Sequence, residues 1–283
     1  NGASAGDVVN SGTLNMGGFS ETINGLSGSG TIDGISGTPT LTLGDDDATA
    51  SFSGTIKDTA GTLSLVKTGS GTQTLVAATS YAGATTVDAG TLVLDGNASF
   101  ANYAGGQISI NNGSVLQIQN SHFFQNKTFV FDGNGGGNID IGSGNNVFRA
   151  DNTFTTLGGS QDTITQSSTW GLNCDNFGTR TFNVADGSDS VDLLISAQIS
   201  NNGSVVKDGA GTMALAAANT YSGGTTVDGG TLLVNNACGS GAVNVNATAT
   251  LGGTGTIAGL VTVASTGHVS PGDNSGDTLT LSD

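Results

Sequence analysis

The chain has little of what a catalytic, membrane-spanning or nucleic-acid-binding protein needs. Its 283 residues include two prolines, two cysteines, two histidines, one tryptophan and six lysines and arginines, and only 5% are aromatic. Six scattered bases cannot neutralise a phosphate track, which argues against nucleic acid as a partner. The apolar runs are all far shorter than a membrane-spanning helix requires, so no insertion into a membrane is predicted.

The charge that is present is almost entirely of one sign. Asp and Glu number 22 against six bases, for a net charge of −16, and every acid except Glu21 is an aspartate. Aspartate bonds to its own backbone in turns and tolerates left-handed φ, so turn formation and solubility are the favoured interpretation. Carboxylates are also calcium ligands, and the run Asp45, Asp46 and Asp47 is a weak candidate for a calcium site.

Glycine is abundant, with 48 residues, and separates short apolar runs. Runs such as 40–43, 107–110 and 115–118 alternate apolar residues with Thr, Ser or Gln. This period of two is typical of strands with one buried face, and no apolar stripe at helical spacing persists for three turns. The composition therefore predicts an all-β protein with many tight turns.

The chain also contains an internal repeat. Residues 66–95 align without a gap on residues 206–235, and 17 of the 30 pairs are identical. The copied residues are chiefly Gly, Thr, Leu and Val, not residues that usually carry catalysis. Such internal repeats indicate stacked supersecondary units that bury a continuous core.

A parallel β-solenoid accounts for this pattern. Inward positions take Leu, Val and Ile, outward positions take Thr, Ser and Asn, and glycine lets the backbone turn at the corners. We predict one continuous solenoid over residues 1–283, with about a dozen coils. Repeat units lie near 11–95 and 196–282, and less regular coils occupy 98–195.

The two copies resemble the autotransporter-associated β-strand repeat, also called the passenger-associated transport repeat, of secreted bacterial β-helix proteins. The family pattern is approximately K-x-G-x-G-T-x-x-L, then Y-x-G-x-T-x-V, then G-T-L. The residues that match are Lys67, Gly69, Gly71, Tyr81, Gly83 and Gly90 in the first copy, and Lys207, Gly209, Gly211, Tyr221, Gly223 and Gly230 in the second. The resemblance implies a right-handed parallel β-helix, export to the bacterial cell surface and a structural or adhesive role. It does not imply a reaction.

The two cysteines, Cys174 and Cys238, are too few for disulfide bonds to stabilise a fold of this length. With coils of about twenty residues they lie about three coils apart, which is about 14 Å at the spacing of β-strands. A disulfide cannot span that distance. We therefore predict two free, buried thiols.

The sequence gives little support for a catalytic site. The run Gly44–Asp47 is similar to the paired-carboxylate segment of β-helical polygalacturonases, but the other motifs of that family do not occur, and a solvated turn is favoured. An aromatic sugar platform is an alternative for Trp170, Phe154, Phe177 and Phe182, for which core packing or coil capping is the better interpretation. Lys67 and Lys207 occupy equivalent places in the copies, so a shared structural role is favoured over catalysis.

The favoured hypothesis is a non-enzymatic extracellular structural protein. A solenoid leaves unpaired strand edges at both ends, and the last residues alternate as Thr278-Leu279-Thr280-Leu281. We therefore expect head-to-tail self-association into a fibre or surface matrix, with Leu279 and Leu281 at the contact. The alternatives are an autotransporter-type passenger adhesin on a cell surface, with surface glycans as partners, and, less favoured, a β-helical polysaccharide lyase or hydrolase. No cofactor is expected apart from the calcium already considered.

Overall fold

The computed structural model describes residues 5–77, 79–95, 106–120, 123–124, 127–148, 152–169, 171–175, 177–272 and 278–282. Within these residues every regular element is a β-strand, and the pairings in each of the five sheets are parallel. Most strands are three or four residues long, because glycine, asparagine and aspartate end each apolar run at a turn.

The first seventeen strands lie in the first half of the chain. They are β1 (Val8–Asn10), β2 (Thr13–Asn15), β3 (Glu21–Ile23), β4 (Leu26–Gly28), β5 (Thr31–Gly34), β6 (Thr40–Leu43), β7 (Ala50–Phe52), β8 (Thr55–Asp58), β9 (Ser64–Lys67), β10 (Thr72–Leu75), β11 (Thr85–Val87), β12 (Thr91–Leu94), β13 (Gln107–Ile110), β14 (Val115–Ile118), β15 (Phe123–Phe124), β16 (Thr128–Phe131) and β17 (Asn138–Ile141).

The remaining strands continue to the end of the described chain. They are β18 (Val147–Phe148), β19 (Thr153–Thr156), β20 (Asp162–Gln166), β21 (Leu172–Asn173), β22 (Thr179–Val184), β23 (Leu193–Ile195), β24 (Ile199–Ser200), β25 (Ser204–Asp208), β26 (Thr212–Leu215), β27 (Thr225–Val227), β28 (Thr231–Val234), β29 (Val243–Val245), β30 (Thr250–Gly253), β31 (Thr256–Ile257), β32 (Val261–Val263), β33 (His268–Pro271) and β34 (Thr280–Leu281).

The strands stack into three lines. Sheet 1 has thirteen strands in the order β1-β4-β7-β10-β12-β14-β17-β20-β23-β26-β28-β30-β33, and sheet 2 has twelve in the order β3-β6-β9-β11-β13-β16-β19-β22-β25-β27-β29-β32. The third face consists of the short sheets β2-β5-β8, β15-β18-β21-β24 and β31-β34. Along the chain, each coil passes through sheet 1, the third face and sheet 2 in turn, and the next coil begins again in sheet 1. The prediction of a parallel β-solenoid is confirmed.

Register explains which side chains form the core. In sheet 1 the residues Leu75, Leu94, Ile118 and Ile141 align from coil to coil, and all four are buried. Residues one position away point outward, because side chains alternate along a strand. Each coil therefore buries its apolar face against the coils above and below.

Coil length varies along the solenoid. Leu75 pairs with Leu94, nineteen residues later, whereas Ile164 pairs with Ile195, thirty-one residues later. The copied segments thus fold into short coils. The coil of thirty-one residues falls within 98–195, the stretch in which the sequence shows no copied motif.

The middle coils fill their interior with phenylalanine. Phe129, Phe154 and Phe182 align in sheet 2, and their rings stack with successive centroid distances of 4.9 Å. Phe154 and Phe182 are therefore core residues. Phe177 is not, since its side chain is 80% exposed in a turn, and Trp170 lies outside the described residues.

Both thiols are buried and free, which confirms the prediction for Cys174 and Cys238. Cys174 lies directly after β21, beside β24. Cys238 follows an isolated bridge that continues the third face toward β31. The two residues are separated by the coils between these positions, so a disulfide between them is excluded by distance.

Candidate functional site

The copied lysines lie fully buried at the corner between sheet 2 and sheet 1. Lys67 Nζ donates hydrogen bonds to the carbonyl oxygens of Thr68 (2.5 Å), Gly69 (2.8 Å) and Ala89 (3.3 Å). The first two oxygens belong to its own corner, and the third belongs to the corner of the next coil. The ammonium group therefore ties two successive corners together.

Lys207 repeats this geometry. Its Nζ donates to the carbonyl oxygens of Asp208 (2.9 Å), Gly209 (2.8 Å) and Gly229 (3.0 Å). Burial lowers the pKa of Lys207 to about 8, although the carboxylates of Asp208 and Asp192 oppose that shift. Burial lowers the pKa of Lys67 as well. Because each ammonium group is held by three carbonyls, neither lysine is presented to a substrate.

The copied glycines lie where neighbouring coils approach most closely. A Cβ atom at any of them would lie 1.9–2.4 Å from a carbonyl oxygen of an adjacent coil, which is shorter than any tolerated contact. These glycines are Gly69, Gly71, Gly83, Gly90, Gly209, Gly211, Gly223 and Gly230. Gly69 and Gly209 additionally have φ of 66° and 80°, a backbone conformation that favours glycine. Their role is to let coils stack.

The copied tyrosines are buried below the corner that enters sheet 2. Tyr81 and Tyr221 each share a 2.7 Å hydrogen bond with a threonine four residues later, Thr85 and Thr225. Tyr221 also contacts the Cys238 sulfur at 3.0 Å. Burial raises the pKa of Tyr81 and Tyr221. Both phenols therefore stay protonated and serve as core residues with one satisfied polar end.

A further pair of copied residues forms a ladder that sequence reasoning did not assign. Asp88 accepts a hydrogen bond from Asn111 Nδ2 at 2.8 Å, and Asp228 accepts one from Asn246 Nδ2 at 2.6 Å. In each copy the aspartate follows the strand of sheet 2, and the asparagine follows the strand one coil later. The Thr-Thr-Val-Asp sequence shared by the copies was the available signal.

The acidic run forms an exposed turn. Asp45 Oδ2 accepts the backbone N–H of Ala5 at 2.7 Å, and Asp47 Oδ1 accepts that of Ser70 at 2.6 Å. Asp46 donates its own N–H to Asn24. Across the described chain, no group of three or more His, Cys, Asp or Glu side chains is arranged to hold a metal ion. Calcium binding at this turn stays a prediction.

The middle coils contain buried charged residues that sequence reasoning missed. Asp162 is 1% exposed, its Oδ1 accepts the Gly137 N–H at 2.8 Å, and its Oδ2 has no hydrogen-bond partner. Burial raises the pKa of Asp162 to about 7, and the carboxylates of Asp132 and Asp192 add to the shift. Arg180 is also fully buried, and its Nε donates to the Phe148 carbonyl at 2.7 Å. Strand alternation was the available signal, since it places Asp162 on the face of Ile164 and Arg180 on the face of Phe182.

The two leucines expected at an assembly contact lie at the C-terminal end of the solenoid. Leu281 is 47% exposed, and Leu279 is partly buried against the core. Leu281 also lines a cavity of about 250 Å³ together with Leu260 and Val261. The solenoid therefore presents apolar side chains at this end. In the described part of the chain, no helix has the length and apolar character needed to cross a membrane.

Three stretches match the family model of the passenger-associated transport repeat, residues 65–94, 88–118 and 205–234. The first and third coincide with the two copies, and the second extends into the segment in which no motif was assigned. The adhesin BmaC autotransporter of Brucella suis biovar 1 (strain 1330) is 45% identical over 86 residues. Those residues are 30% of this chain and 2% of that relative, so the chain spans a small part of its length. No solved structure matches the chain.

Proposed function

We propose that the chain, which carries three passenger-associated transport repeats, is a non-enzymatic rod in the passenger of an adhesin-type protein outside a bacterial cell. One observation supports this most strongly. The copied residues are used for the packing of the coils. The lysines bind corner carbonyls, the glycines allow close approach, and the tyrosines fill the interior. A repeat of this kind extends a scaffold and does not assemble a reactive centre.

Surface exposure is tested on intact cells that produce the full-length protein with an epitope tag inserted at the exposed Thr262 position of β32. Proteinase K added outside the cells is expected to remove the tag signal, while a cytoplasmic marker stays intact. Retention of the tag on intact cells, with loss after lysis, would contradict the proposed location.

The absence of a reaction is tested with acidic polysaccharides in the presence of calcium. We expect neither new unsaturated products nor new reducing ends. In the exposed run of Asp45, Asp46 and Asp47, the side chains of Asp45 and Asp47 accept backbone hydrogen bonds. Asp46 is therefore the acid chosen for substitution. Turnover by the wild-type chain that disappears in an Asp46→Asn variant would replace this proposal with a lyase or hydrolase.

The adhesive role derives from the relative that is named an adhesin. Surface glycans are the proposed partners, because outward side chains such as Gln117, Asn138 and Asp140 place amide and carboxylate groups along sheet 1. A glycan array probed with the purified rod is expected to show binding that is lost with Asn138→Ala. An array without binding would restrict the segment to a structural stem.

Head-to-tail self-association is a second proposed property. It is favoured by the exposed apolar side chains at the C-terminal end, where β32, β33 and β34 are each paired on one side only within the described chain. Sedimentation of the purified chain at rising concentration is expected to show growing species, and negative-stain images are expected to show rods joined end to end. A strictly monomeric protein at high concentration would contradict this property.

A further inference from the structure

The chain contains five Asn-Gly dipeptides, at residues 1–2, 24–25, 112–113, 134–135 and 202–203, and the first lies outside the described residues. In such a pair the backbone nitrogen of the glycine is able to attack the side-chain carbon of the asparagine, because glycine has no Cβ to obstruct the approach. The attack requires these two atoms to meet at about 3–3.5 Å. Each of the four described pairs lies in a connection between two strands, so the fold decides which of them reaches that geometry.

The pair at Asn24 is held in place by hydrogen bonds. Asn24 Oδ1 accepts the backbone N–H groups of Asp46 and Ala48, at 2.9 Å and 3.0 Å. The N–H of Gly25 donates to Asp7 Oδ1 at 2.9 Å. Both the side chain and the attacking nitrogen would have to give up these bonds before they could react.

The pair at Asn202 is held in the same way. Asn202 Oδ1 accepts the N–H of Phe177 at 3.0 Å, and the N–H of Gly203 donates to the Cys174 carbonyl at 2.8 Å. The pair at Asn134 is held by its side chain alone, since Asn134 Nδ2 donates to a carboxylate oxygen of Asp132 at 3.2 Å.

The pair at Asn112 has neither restraint. The Asn112 side chain is exposed and makes no hydrogen bond within the described chain, and the N–H of Gly113 has no acceptor there. Gly135 of the next coil lies against this peptide group, where a Cβ atom would come within 3.3 Å of Gly113 N. Because Gly135 has no side chain, the nitrogen is left uncovered.

The turn allows the peptide group between Asn112 and Gly113 to rotate while the turn stays closed. These residues have φ of 49° and 70°. Ser114 N–H donates to the Asn111 carbonyl at 2.9 Å, as in a type I′ turn. A flip of the central peptide group gives a type II′ turn, in which ψ of the first central residue is about −120°. At this ψ the backbone nitrogen eclipses Cβ, which places Gly113 N beside Asn112 Cγ.

We infer that Asn112 is a site of spontaneous deamidation in the folded chain. The Gly113 nitrogen, having lost its proton to solvent, forms a bond to Asn112 Cγ and closes a succinimide ring. The Cγ–Nδ2 bond breaks, and ammonia leaves with a proton taken from water. A water molecule then opens the ring at either carbonyl and gives aspartate or isoaspartate. The inference goes beyond the proposed function, because the reaction needs only this turn and water.

Both products place a new carboxylate at a corner that already carries an acid. The N–H of Asn112 donates to Asp132 Oδ1 at 3.4 Å, so the new charge lies near the Asp132 carboxylate. Isoaspartate also lengthens the backbone by one carbon atom where two coils stack. The modified rod is therefore expected to unfold at a lower urea concentration than the unmodified one.

The chain supplies a matched control for the test. The sequence Asn-Asn-Gly-Ser-Val occurs both at 111–115 and at 201–205. Asn112 and Asn202 therefore have the same neighbours along the chain, and a difference between their rates of reaction comes from the fold.

The experiment incubates the full chain, folded in buffer or unfolded in guanidinium, in water labelled with oxygen-18. Peptide mapping by mass spectrometry reads the label at each site, and electron-transfer fragmentation separates isoaspartate from aspartate. In the folded chain Asn112 is expected to react at least about tenfold faster than Asn202 and Asn24, because loss of one hydrogen bond is worth about that factor. Asn134 is expected to follow Asn112. In the unfolded chain Asn112 and Asn202 are expected to react at equal rates.

Three results would overturn the inference. The first is equal labelling of Asn112 and Asn202 in the folded chain, or labelling of Asn112 only after unfolding. The second is a preference for Asn112 that persists in guanidinium, since it would not arise from the fold. The third is reaction at Asn134 as fast as at Asn112, which would show that the free side chain is not decisive. An Asn112→Gln variant is expected to lose the labelled product at this site and to keep the rates at the others.

Discussion

At the scale of single residues, the buried lysines explain why the repeat contains a charged side chain in an interior column. A corner leaves backbone carbonyls without strand partners, and buried carbonyls must be hydrogen-bonded. Lys207 supplies donors to three of them. Sequence comparison of the copies predicted a structural role for this lysine. It could not identify the partners, because one of them lies in the next coil and depends on how the coils stack.

Replacing Lys207 with methionine is expected to destabilise the rod by about 1–3 kcal/mol, because three carbonyls lose their donor while the aliphatic packing is kept. The measurement is the midpoint of urea unfolding followed by circular dichroism. Lys57→Met is the control, because Lys57 is partly exposed and forms an ion pair with Asp33 at 3.2 Å, whose carboxylate keeps its hydrogen bonds from Thr59, so a smaller loss is expected. Equal effects of the two changes would show that the corner contacts are not stabilising.

Asp162 predicts a pH dependence of stability. Its pKa is raised to about 7 in the folded chain from 3.8, so between these values the folded state binds more protons than the unfolded state. Stability contributed by this group is therefore present below about pH 4, falls as pH rises toward 7 and changes little above that. Asp162→Asn is expected to flatten the decrease between pH 4 and 7, measured as urea midpoints across that range. An unchanged slope would contradict the assignment.

At the scale of elements, the alternating strands and glycine corners were readable from the sequence, and the stacking partners were not. Alternation specifies which face of a strand is buried, as in the pattern of β16 and β19. It does not specify which strand lies above, because that depends on coil length. Coil length changes in the middle of the chain, where no motif marks the corners. The phenylalanine stack and the buried Asp162 and Arg180 consequently appeared only in the structure.

The phenylalanine stack predicts where the middle coils are most sensitive. Phe154 is buried between Phe129 and Phe182 at centroid distances of 4.9 Å. Phe154→Ala is expected to cost about 3–5 kcal/mol, because it removes a large side chain from the core and leaves a cavity. Phe177→Ala, at an 80% exposed position, is the control and is expected to change the unfolding midpoint little. Similar losses for both would argue against the stack as a core element.

At the scale of the whole molecule, the chain is a column of coils in which the copied segments lie at different heights. Its interior is uninterrupted along sheets 1 and 2. Most of its acidic charge is spread over the coils that precede residue 229, and the uncharged coils of 229–272 lie toward the C-terminal end. The internal repeat predicted stacked coils.

The most direct test of this account is a distance between equivalent residues of the two copies. Thr86 and Thr226 lie in β11 and β27, six strands apart in sheet 2, so their separation is about 29 Å at about 4.8 Å per strand. Spin labels on Thr86→Cys and Thr226→Cys, in a Cys174→Ala and Cys238→Ala background, measure it by pulsed electron resonance. A narrow distribution centred at about 29 Å, the sum of six strand spacings, is the predicted result. A distance of about 10 Å, as between the packed sheets of a sandwich, would contradict the stacked rod.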